Sequence, residues 1–201
     1  DWAPYEWIDE NGHFQGIAAD LLALISVRLG VDFELVITSD WSETLERSKN
    51  GEFLVIPFLN ETASRREWLL FTEPIFSDPS VLITKENVPY ALDLGDFSGK
   101  TIVFPEGTSL EERVRNNYPE LKVITALTEY AALRQVVEGN ADVSLRPLTM
   151  AAYTIRRHGL IQLKFGSQMP QYENLLRMGV FHSEPMLRDI LNKGILSISA
   201  D

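Results

Sequence analysis

Cysteine is missing from this sequence of 201 residues, and histidine is scarce. Without cysteine the chain can form no disulfide framework, no thiolate zinc site and no cysteine nucleophile. The histidines, His13, His158 and His182, show no mutual spacing typical of metal ligands. Nucleophile elbows, phosphate-binding loops and dinucleotide fingerprints are also missing. The sequence therefore predicts no metal, no cofactor and no catalytic residue.

Long hydrophobic runs and excess positive charge are missing as well. The most apolar stretch, residues 17–29, is interrupted by Asp20 and Arg28 and is unlike a membrane-spanning helix of about 18 or more apolar residues. Acidic residues outnumber basic ones by 29 to 18, which gives a net charge of -11. A surface of that charge repels nucleic acid and anionic membranes, so neither is predicted as a partner. A pocket can still be locally basic.

Strand and helix patterns alternate along the chain. Apolar residues recur at helical spacing from Ala18 to Leu29, and Gly30 follows as a helix stop. Further helices are predicted at residues 40–50, 109–118, 128–138, 148–157 and 186–198. Strands are predicted at residues 31–38, 53–59, 80–84, 101–104, 121–127, 141–145, 160–165 and 175–181. Such alternation is typical of α/β proteins with parallel sheets covered on both faces.

Two α/β units lie on either side of residues 85–98, a stretch that contains Pro89 and Gly95 and is followed by Gly99. We expect lobe 1 to comprise residues 1–85 and 173–201, and lobe 2 to comprise residues 86–172. Open α/β sheets bind ligands at the carboxyl ends of their strands. Two such edges facing each other would form a cleft that motion at two hinge crossovers can close.

The first candidate binding segment runs from Phe58 to Arg66. A predicted strand ends there, Thr62 is placed to cap a short helix, and Arg65 falls in the first helical turn. Helix N–H groups and a guanidinium together favour an anion, and arginine can hold a carboxylate with two hydrogen bonds. The alternative is a solvated surface arginine, or one paired with Glu61.

Two further candidate segments follow predicted strands of lobe 2. In Gly107-Thr108-Ser109 the glycine allows close backbone approach, and the hydroxyl and N–H groups can bind an anion. A plain helix cap is the alternative. Arg146 is predicted at the carboxyl end of a strand, where it would reach a cleft edge or, alternatively, extend from a loop into solvent. Both segments favour an anionic ligand group.

Aromatic residues cluster near the amino end, at Trp2, Tyr5 and Trp7. Such side chains can line an apolar or cationic part of a ligand. Packing in the core is the alternative, and we expect it for at least one of the three.

Several short fragments of the sequence match a known protein family by their order and spacing, although each fragment alone is a weak match. These fragments are Pro4-Tyr5-Glu6, Gly16 to Leu22, Thr62 to Arg65, Phe71 to Pro74, Ser98 to Lys100, Gly107-Thr108 and Gly139 to Asp142. Together they resemble the family 3 bacterial extracellular solute-binding proteins, and the start and tail are most similar to periplasmic sensor modules of hybrid histidine kinases. The resemblance implies a two-lobed, periplasmic-binding-protein-like (Venus flytrap) α/β fold with two hinge crossovers.

The resemblance also implies roles for individual residues. Arg65 matches the arginine that clamps the ligand carboxylate, and Thr108 its hydroxyl partner in the second lobe, with Ser109 beside it. Trp2 resembles the aromatic wall over the ligand side chain. The remaining implied ligand contacts are at Phe58 and Asn60. Glu6 and Arg146 are also predicted to bind the ligand.

This sequence departs from the family pattern at three places. Where amino-acid binders carry an acidic residue for the ligand ammonium, Pro147 stands beside Arg146, which favours a ligand with a second anionic group. The usual Gly-x-x-Asp before the third strand reads Gly51-Glu52-Phe53-Leu54, without its aspartate. The family's first strand, expected just before Trp2, is missing, so we expect lobe 1 to be incomplete.

The resemblance predicts a periplasmic sensor domain that belongs to an inner-membrane histidine kinase and binds an amino acid or small carboxylate without transforming it. Its partners would then be a small anionic or zwitterionic metabolite and the membrane-spanning and kinase segments of the same chain, and a homodimer is compatible with this arrangement. One alternative is a free binding protein that serves an ABC permease. Others are a cyclohexadienyl-dehydratase-like enzyme with Glu6 or Glu173 as acid or base, and a degenerate module that binds nothing.

Overall fold

The computed structural model describes residues 2–198, so residues 1 and 199–201, the outer ends of the predicted lobe 1, lie outside the described chain. Contacts divide the chain into two compact units. Unit 1 contains the chain up to Ser77 and again from Leu175, and unit 2 is Asp78–Asn174. The chain therefore passes between the units twice. Within residues 2–198 no helix has the length and apolarity needed to cross a membrane.

Strands and helices follow one another in both units. The strands are β1 Trp7–Ile8, β2 Phe14–Gln15, β3 Val55–Asn60, β4 Leu69–Phe71, β5 Phe76–Asp78, β6 Ser80–Lys85, β7 Thr101–Pro105, β8 Lys122–Ala126, β9 Val143–Pro147, β10 Leu163–Gln168 and β11 Asn174–Phe181. The helices are α1 Ile17–Leu29, α2 Trp41–Lys49, α3 Ser109–Asn117, α4 Glu129–Glu138, α5 Leu148–His158 and α6 Pro185–Ile198. Short 3₁₀ turns lie at Arg65–Glu67, Leu94–Phe97 and Pro170–Tyr172.

The main sheet of unit 1 has the order β3-β11-β4, and β11 is antiparallel to both neighbours. Met178 and Val180 of β11 pack with Ile25 of α1 and Leu191 of α6. A second cluster joins Ile56 and Leu59 of β3 to Trp41 and Leu45 of α2. Side chains alternate between the faces of a strand, so helices cover this sheet from both sides. The parallel pairing that we expected throughout is wrong for this sheet.

The predicted strand at residues 31–38 is also wrong. These residues form no strand, and Leu35, Val36 and Ile37 are exposed. A strand requires a neighbour, because its backbone N–H and C=O groups are satisfied by the adjacent strand. Within residues 2–198 no segment pairs with this stretch, and β3 ends the sheet as an edge strand. The apolar alternation alone therefore does not make this stretch a strand, because no described segment pairs with it.

The sheet of unit 2 has the order β10-β6-β9-β7-β8. Strands β8, β7 and β9 are parallel, which confirms the α/β expectation here. Strand β6 is antiparallel to β9 on one side and to the edge strand β10 on the other. Because β6 pairs with β9 and β10, it belongs to unit 2. The first boundary therefore lies between Ser77 and Asp78 and not after residue 85, whereas the return between Asn174 and Leu175 is close to the expected position.

Candidate functional site

In unit 1 the Arg65 segment follows the last residue of β3. The hydroxyl of Thr62 accepts a hydrogen bond from the backbone N–H of Arg65 at 3.2 Å, as the predicted cap requires. The expected helix is only a 3₁₀ turn of three residues, Arg65–Glu67. A turn of that length has too few aligned peptides to create a useful helix dipole. Any anion binding here must therefore depend on the arginine side chain.

The side chain of Arg65 is buried, with 4% of its surface exposed. Its Nη1 donates to the carbonyl oxygen of Asn60 at 2.8 Å, and the guanidinium carbon lies 5.4 Å from the ring centroid of Trp41. The alternative of a solvated surface arginine is therefore wrong. Glu61 pairs with Arg66 at 2.7 Å and with Arg177 at 3.4 Å. The Arg65 guanidinium and the Asn60 backbone are thus in contact, and the ligand contacts predicted at both residues stay predictions.

An aromatic cluster connects the amino end of the chain to β3. Tyr5 is fully buried and lies edge-on to Trp2 at 4.9 Å, to Phe76 at 5.6 Å and to Phe58 at 6.4 Å between ring centroids. Tyr5 is therefore the core member that we expected among the amino-terminal aromatics. Phe58 is buried in the same cluster, where its ring packs against Tyr5.

Glu6 follows Tyr5 and carries an unusual carboxyl group. Its Oε2 atom is buried and has no hydrogen-bond partner among residues 2–198. Burial raises the pKa of Glu6 to about 7, because the charged form loses its hydration. A carboxyl group in this state can exchange a proton near neutral pH or pair with an incoming cation.

In unit 2 the candidate hydroxyls lie at the start of α3. The hydroxyl of Thr108 donates to the carbonyl of Pro105 at 3.1 Å and accepts from the N–H of Glu111 at 3.4 Å. Gly107 donates its N–H to the carboxylate of Glu111 at 2.8 Å. Thr108 is therefore the helix cap that we named as the alternative. Ser109, the first residue of α3, is buried.

Arg146 lies near the end of β9 and is only 1% exposed. Its Nη2 is 2.7 Å from Oε2 of Glu129, and its Nε lies 2.9 Å from each carboxylate oxygen. The alternative of a solvated loop arginine is wrong. Glu129 therefore balances the charge of Arg146, and a ligand anion would have to compete with this carboxylate for the guanidinium.

The strand order of unit 2 explains why Thr108, Glu129 and Arg146 lie at the same edge of the sheet. β7 lies between β8 and β9, and all three are parallel, so their carboxyl ends share one edge of the sheet. Thr108, Glu129 and Arg146 follow or end these three strands. This is the edge at which open α/β sheets bind ligands.

Sequence reasoning missed Glu129 and Arg177. Glu129 is the first residue of α4, where an acidic side chain normally indicates only a favourable helix-dipole position. Arg177 on β11 donates to the carbonyl of Thr72 at 2.7 Å and pairs with Glu61. Neither pairing produces a local pattern, because the partners are far apart in the chain.

Comparisons with known proteins show the family and the fold of this chain. The family model of the bacterial extracellular solute-binding proteins, family 3, matches residues 1–201. The virulence sensor protein BvgS of Bordetella pertussis is 26% identical over 200 residues, which cover 100% of this chain and 16% of that protein. This chain therefore spans a small part of the curated relative that it matches.

Solved structures with the same fold include a sensor domain and an amino-acid-binding protein. A histidine kinase sensor domain with similarity to periplasmic binding proteins has a TM-score of 0.89 at 22% identity, covering 99% of this chain and 86% of that one. An ancestral arginine-binding protein bound to arginine has a TM-score of 0.85 at 21% identity, covering 100% of this chain and 89% of that one. The fold is thus the periplasmic-binding-protein-like (Venus flytrap) α/β fold. The chain belongs to the bacterial extracellular solute-binding proteins, family 3.

Proposed function

We propose that this chain is the periplasmic ligand-binding domain of a transmembrane sensor histidine kinase, and that its ligand is an amino acid or a small carboxylate. The observation that carries this proposal is the buried guanidinium of Arg65, held at the end of β3 by the Asn60 carbonyl and the Trp41 ring. The similarity to BvgS, a virulence sensor protein, supports the sensor role. The domain itself binds without catalysis.

The physical argument for a carboxylate begins with the fixed position of Arg65. A guanidinium forms charge-assisted hydrogen bonds to a carboxylate, and its planar fork matches the two oxygens. Because Asn60 and Trp41 already orient the side chain, little rotamer entropy would be lost on binding. The ligand carboxylate would therefore gain most of its affinity from this one residue.

The contribution of unit 2 is proposed to be smaller. The proton of the Thr108 hydroxyl is directed to the Pro105 carbonyl, so we assign Thr108 mainly to capping α3. Ser109 stays a predicted ligand contact. The charge of Arg146 is balanced by Glu129, and we therefore propose a ligand with a single carboxylate or a zwitterion over a dianion.

Substitution of Arg65 tests the proposal. A thermal-shift screen of amino acids and small carboxylates identifies a binder, because ligand binding raises the melting temperature by mass action. For that binder, Arg65→Ala should weaken the affinity measured by calorimetry by about 2–4 kcal/mol, since the carboxylate loses a charged partner.

Arg66→Ala is the matched control. Arg66 is the next residue, is largely exposed, and pairs with Glu61 at the surface. Exposed pairs contribute little, so this variant should keep the affinity of the wild type. Equal affinities of the Arg65→Ala variant and the wild type would refute the assignment.

The sensor role has its own test in the full-length protein. A ligand can shift a signalling equilibrium only through different affinities for the two states. We expect the identified ligand to change autophosphorylation of the membrane-embedded protein. A gene that stops close after residue 201, with no membrane helix or kinase motif, would instead favour a binding protein that serves a transporter.

A further inference from the structure

The central strand of the unit 1 sheet carries an arginine that contacts the segments following both neighbouring strands. Arg177 lies on β11, between β3 and β4. Its Nε lies 3.4 Å from the carboxylate of Glu61, the first residue after β3. Its Nη1 donates to the carbonyl of Thr72, the first residue after β4, at 2.7 Å. Because β3 and β4 are both antiparallel to β11, their carboxyl ends lie at the same edge of the sheet, and one guanidinium holds both segments there.

Glu61 belongs to the proposed ligand-binding segment. It lies between Asn60, whose carbonyl accepts from the Arg65 side chain at 2.8 Å, and Thr62, whose hydroxyl accepts from the Arg65 N–H at 3.2 Å. The side chains of Glu61 and Arg177 are only 26% and 20% exposed, so solvent screens this pair less than a fully exposed one. Any change in the order of the segment therefore acts on the contact between Glu61 and Arg177.

The segment after β4 is bonded in turn to helix α6. Thr72 and Met178 of β11 exchange two hydrogen bonds, one from the N–H of Thr72 at 3.1 Å and one to its hydroxyl at 3.0 Å. The next N–H, that of Glu73, donates to Oδ1 of Asn192 on α6 at 2.8 Å. Asn192 follows Leu191, which is fully buried and packs in one core cluster with Met178. The backbone that accepts from Arg177 thus also contacts α6.

We propose that Arg177 couples the occupancy of the Arg65 segment to helix α6. The coupling passes through Glu61 on one side and through the Glu73 N–H and Asn192 on the other. This inference rests on the proposed function and adds to it a route, within unit 1, by which binding changes a distant helix. A ligand that orders the Arg65 segment also restrains Glu61, so the remaining contacts of Arg177 form at a lower entropic cost. Arg177 is thus assigned as a positioning residue.

Hydrogen exchange of the Glu73 amide, measured by NMR, tests the connection to α6. Asn192→Ala removes the acceptor and should accelerate this exchange by about tenfold. Asn192→Asp keeps an oxygen at the same position and should keep the rate within about threefold of the wild type. The amide of the fully buried Val103 in unit 2 is the reference for global unfolding and should be unchanged.

A double-mutant cycle tests the coupling without a ligand. Glu61→Gln and Asn192→Ala are made singly and together, and the cycle is repeated in an Arg177→Met background. Residues in one network are not additive, so we expect the unfolding constant of the double variant to differ by about threefold or more from the product of the single effects. With Arg177→Met the substitutions should become additive.

The matched control pairs Asn192→Ala with Glu43→Gln. Glu43 is also in unit 1 and also pairs with an arginine, but its helix α2 packs in the other core cluster. These two substitutions should be additive in every background.

L-Glutamine and propionate, a zwitterion and a simple carboxylate, are the probes for the bound state. A bound probe should slow Glu73 exchange in the wild type by about threefold or more, and should leave it unchanged in Arg177→Met. Coupling is reciprocal, so Arg177→Met and Asn192→Ala should lower the affinity by that same factor. A loss much larger in Arg177→Met than in Asn192→Ala would make Arg177 a ligand contact and overturn its positioning role.

The remaining outcomes separate the coupling from the proposed function. If the cycle is additive with Arg177 present, or if a bound probe leaves Glu73 exchange unchanged in the wild type, the coupling is wrong while binding at Arg65 stands. If neither probe binds, the ligand found in the thermal-shift screen takes their place. If that screen finds no amino acid or carboxylate, the proposed function fails and the coupling fails with it.

Discussion

Arg65 in unit 1 and Arg146 in unit 2 are both buried arginines near the carboxyl end of a strand, yet they contact different groups. The contacts of Arg65 described above are a backbone carbonyl and an indole ring, whereas Arg146 holds the carboxylate of Glu129. The comparison shows that position alone does not make an arginine a ligand clamp. We expect substitution to change mainly affinity at Arg65 and mainly stability around Arg146.

The largest effect is expected from Glu129→Gln. Removing one partner of a buried ion pair leaves an uncompensated charge and costs about 3–5 kcal/mol. Urea unfolding followed by circular dichroism should show this loss. Glu138→Gln breaks an exposed pair with Arg134 on the same helix and should cost less than about 1 kcal/mol. If both variants lose the same stability, Arg146 does not depend on Glu129.

A double substitution sharpens the same comparison. Replacing a buried pair by apolar residues of similar volume is often nearly neutral, so Arg146→Met with Glu129→Leu should restore most of the stability lost by Glu129→Gln. Ligand affinity should be unchanged, because we assign the pair to structure. If this double variant is folded but binds the ligand much more weakly than the wild type, Arg146 contacts the ligand.

A pH-dependent effect of intermediate size is expected from Glu6 in unit 1. Its pKa of about 7 in the folded chain exceeds the ordinary value of 4.5, so the folded state holds this proton more tightly than the unfolded state. The stabilising contribution is complete below pH 4.5 and is lost as the pH rises through about 7. At pH 8, Glu6→Gln should therefore be more stable than the wild type, by about 1–3 kcal/mol.

The measurement is the free energy of unfolding of both proteins between pH 4 and pH 8. The difference between them should grow toward high pH and vanish at low pH. A difference that stays constant across this range would show that Glu6 titrates with an ordinary pKa.

The smallest effect is expected at the α3 cap of unit 2. Thr108→Ala should reduce stability by about 1 kcal/mol, because the N–H of Glu111 loses its acceptor. Ligand affinity should change by less than about threefold, the range expected when no charged contact is lost. Thr108→Ser keeps the cap and is the control. A tenfold loss of affinity in Thr108→Ala that serine restores would make this hydroxyl a ligand contact.

Local features were predictable because they depend on neighbouring residues. The N–H of Glu43 bonds to Asp40, α4 begins after its Thr128 cap, and Gly30 ends α1 in a left-handed conformation. Thr62 caps the Arg65 turn for the same reason. In each case the hydrogen-bonded groups are only three or four residues apart, so the sequence pattern contains both partners.

The candidate site was predictable only in part. The resemblance predicts ligand contacts at Arg65 and Asn60, and the structure shows that Arg65 is buried and donates to the Asn60 carbonyl at 2.8 Å. The resemblance could not reveal that Glu129 neutralises Arg146, because this pair is created by the order of β8, β7 and β9. The sequence likewise could not show that the Oε2 atom of Glu6 is buried without a hydrogen-bond partner among residues 2–198, since burial is a property of the packed chain.

The sequence by itself determined the α/β class, the positions of most helices and strands, and the family. Hydrophobic periodicity, helix caps and short motifs each involve residues that are close together in the sequence, so they can be recognised without the structure. Only the tertiary structure decided which charges are balanced and which apolar stretch becomes a strand. The physical reason is that ion pairs and strand ladders join groups distant in sequence. The environment of Arg146 is set by its ion pair with Glu129. Residues 31–38 could form a strand only beside a neighbouring strand, and none of the described segments pairs with them.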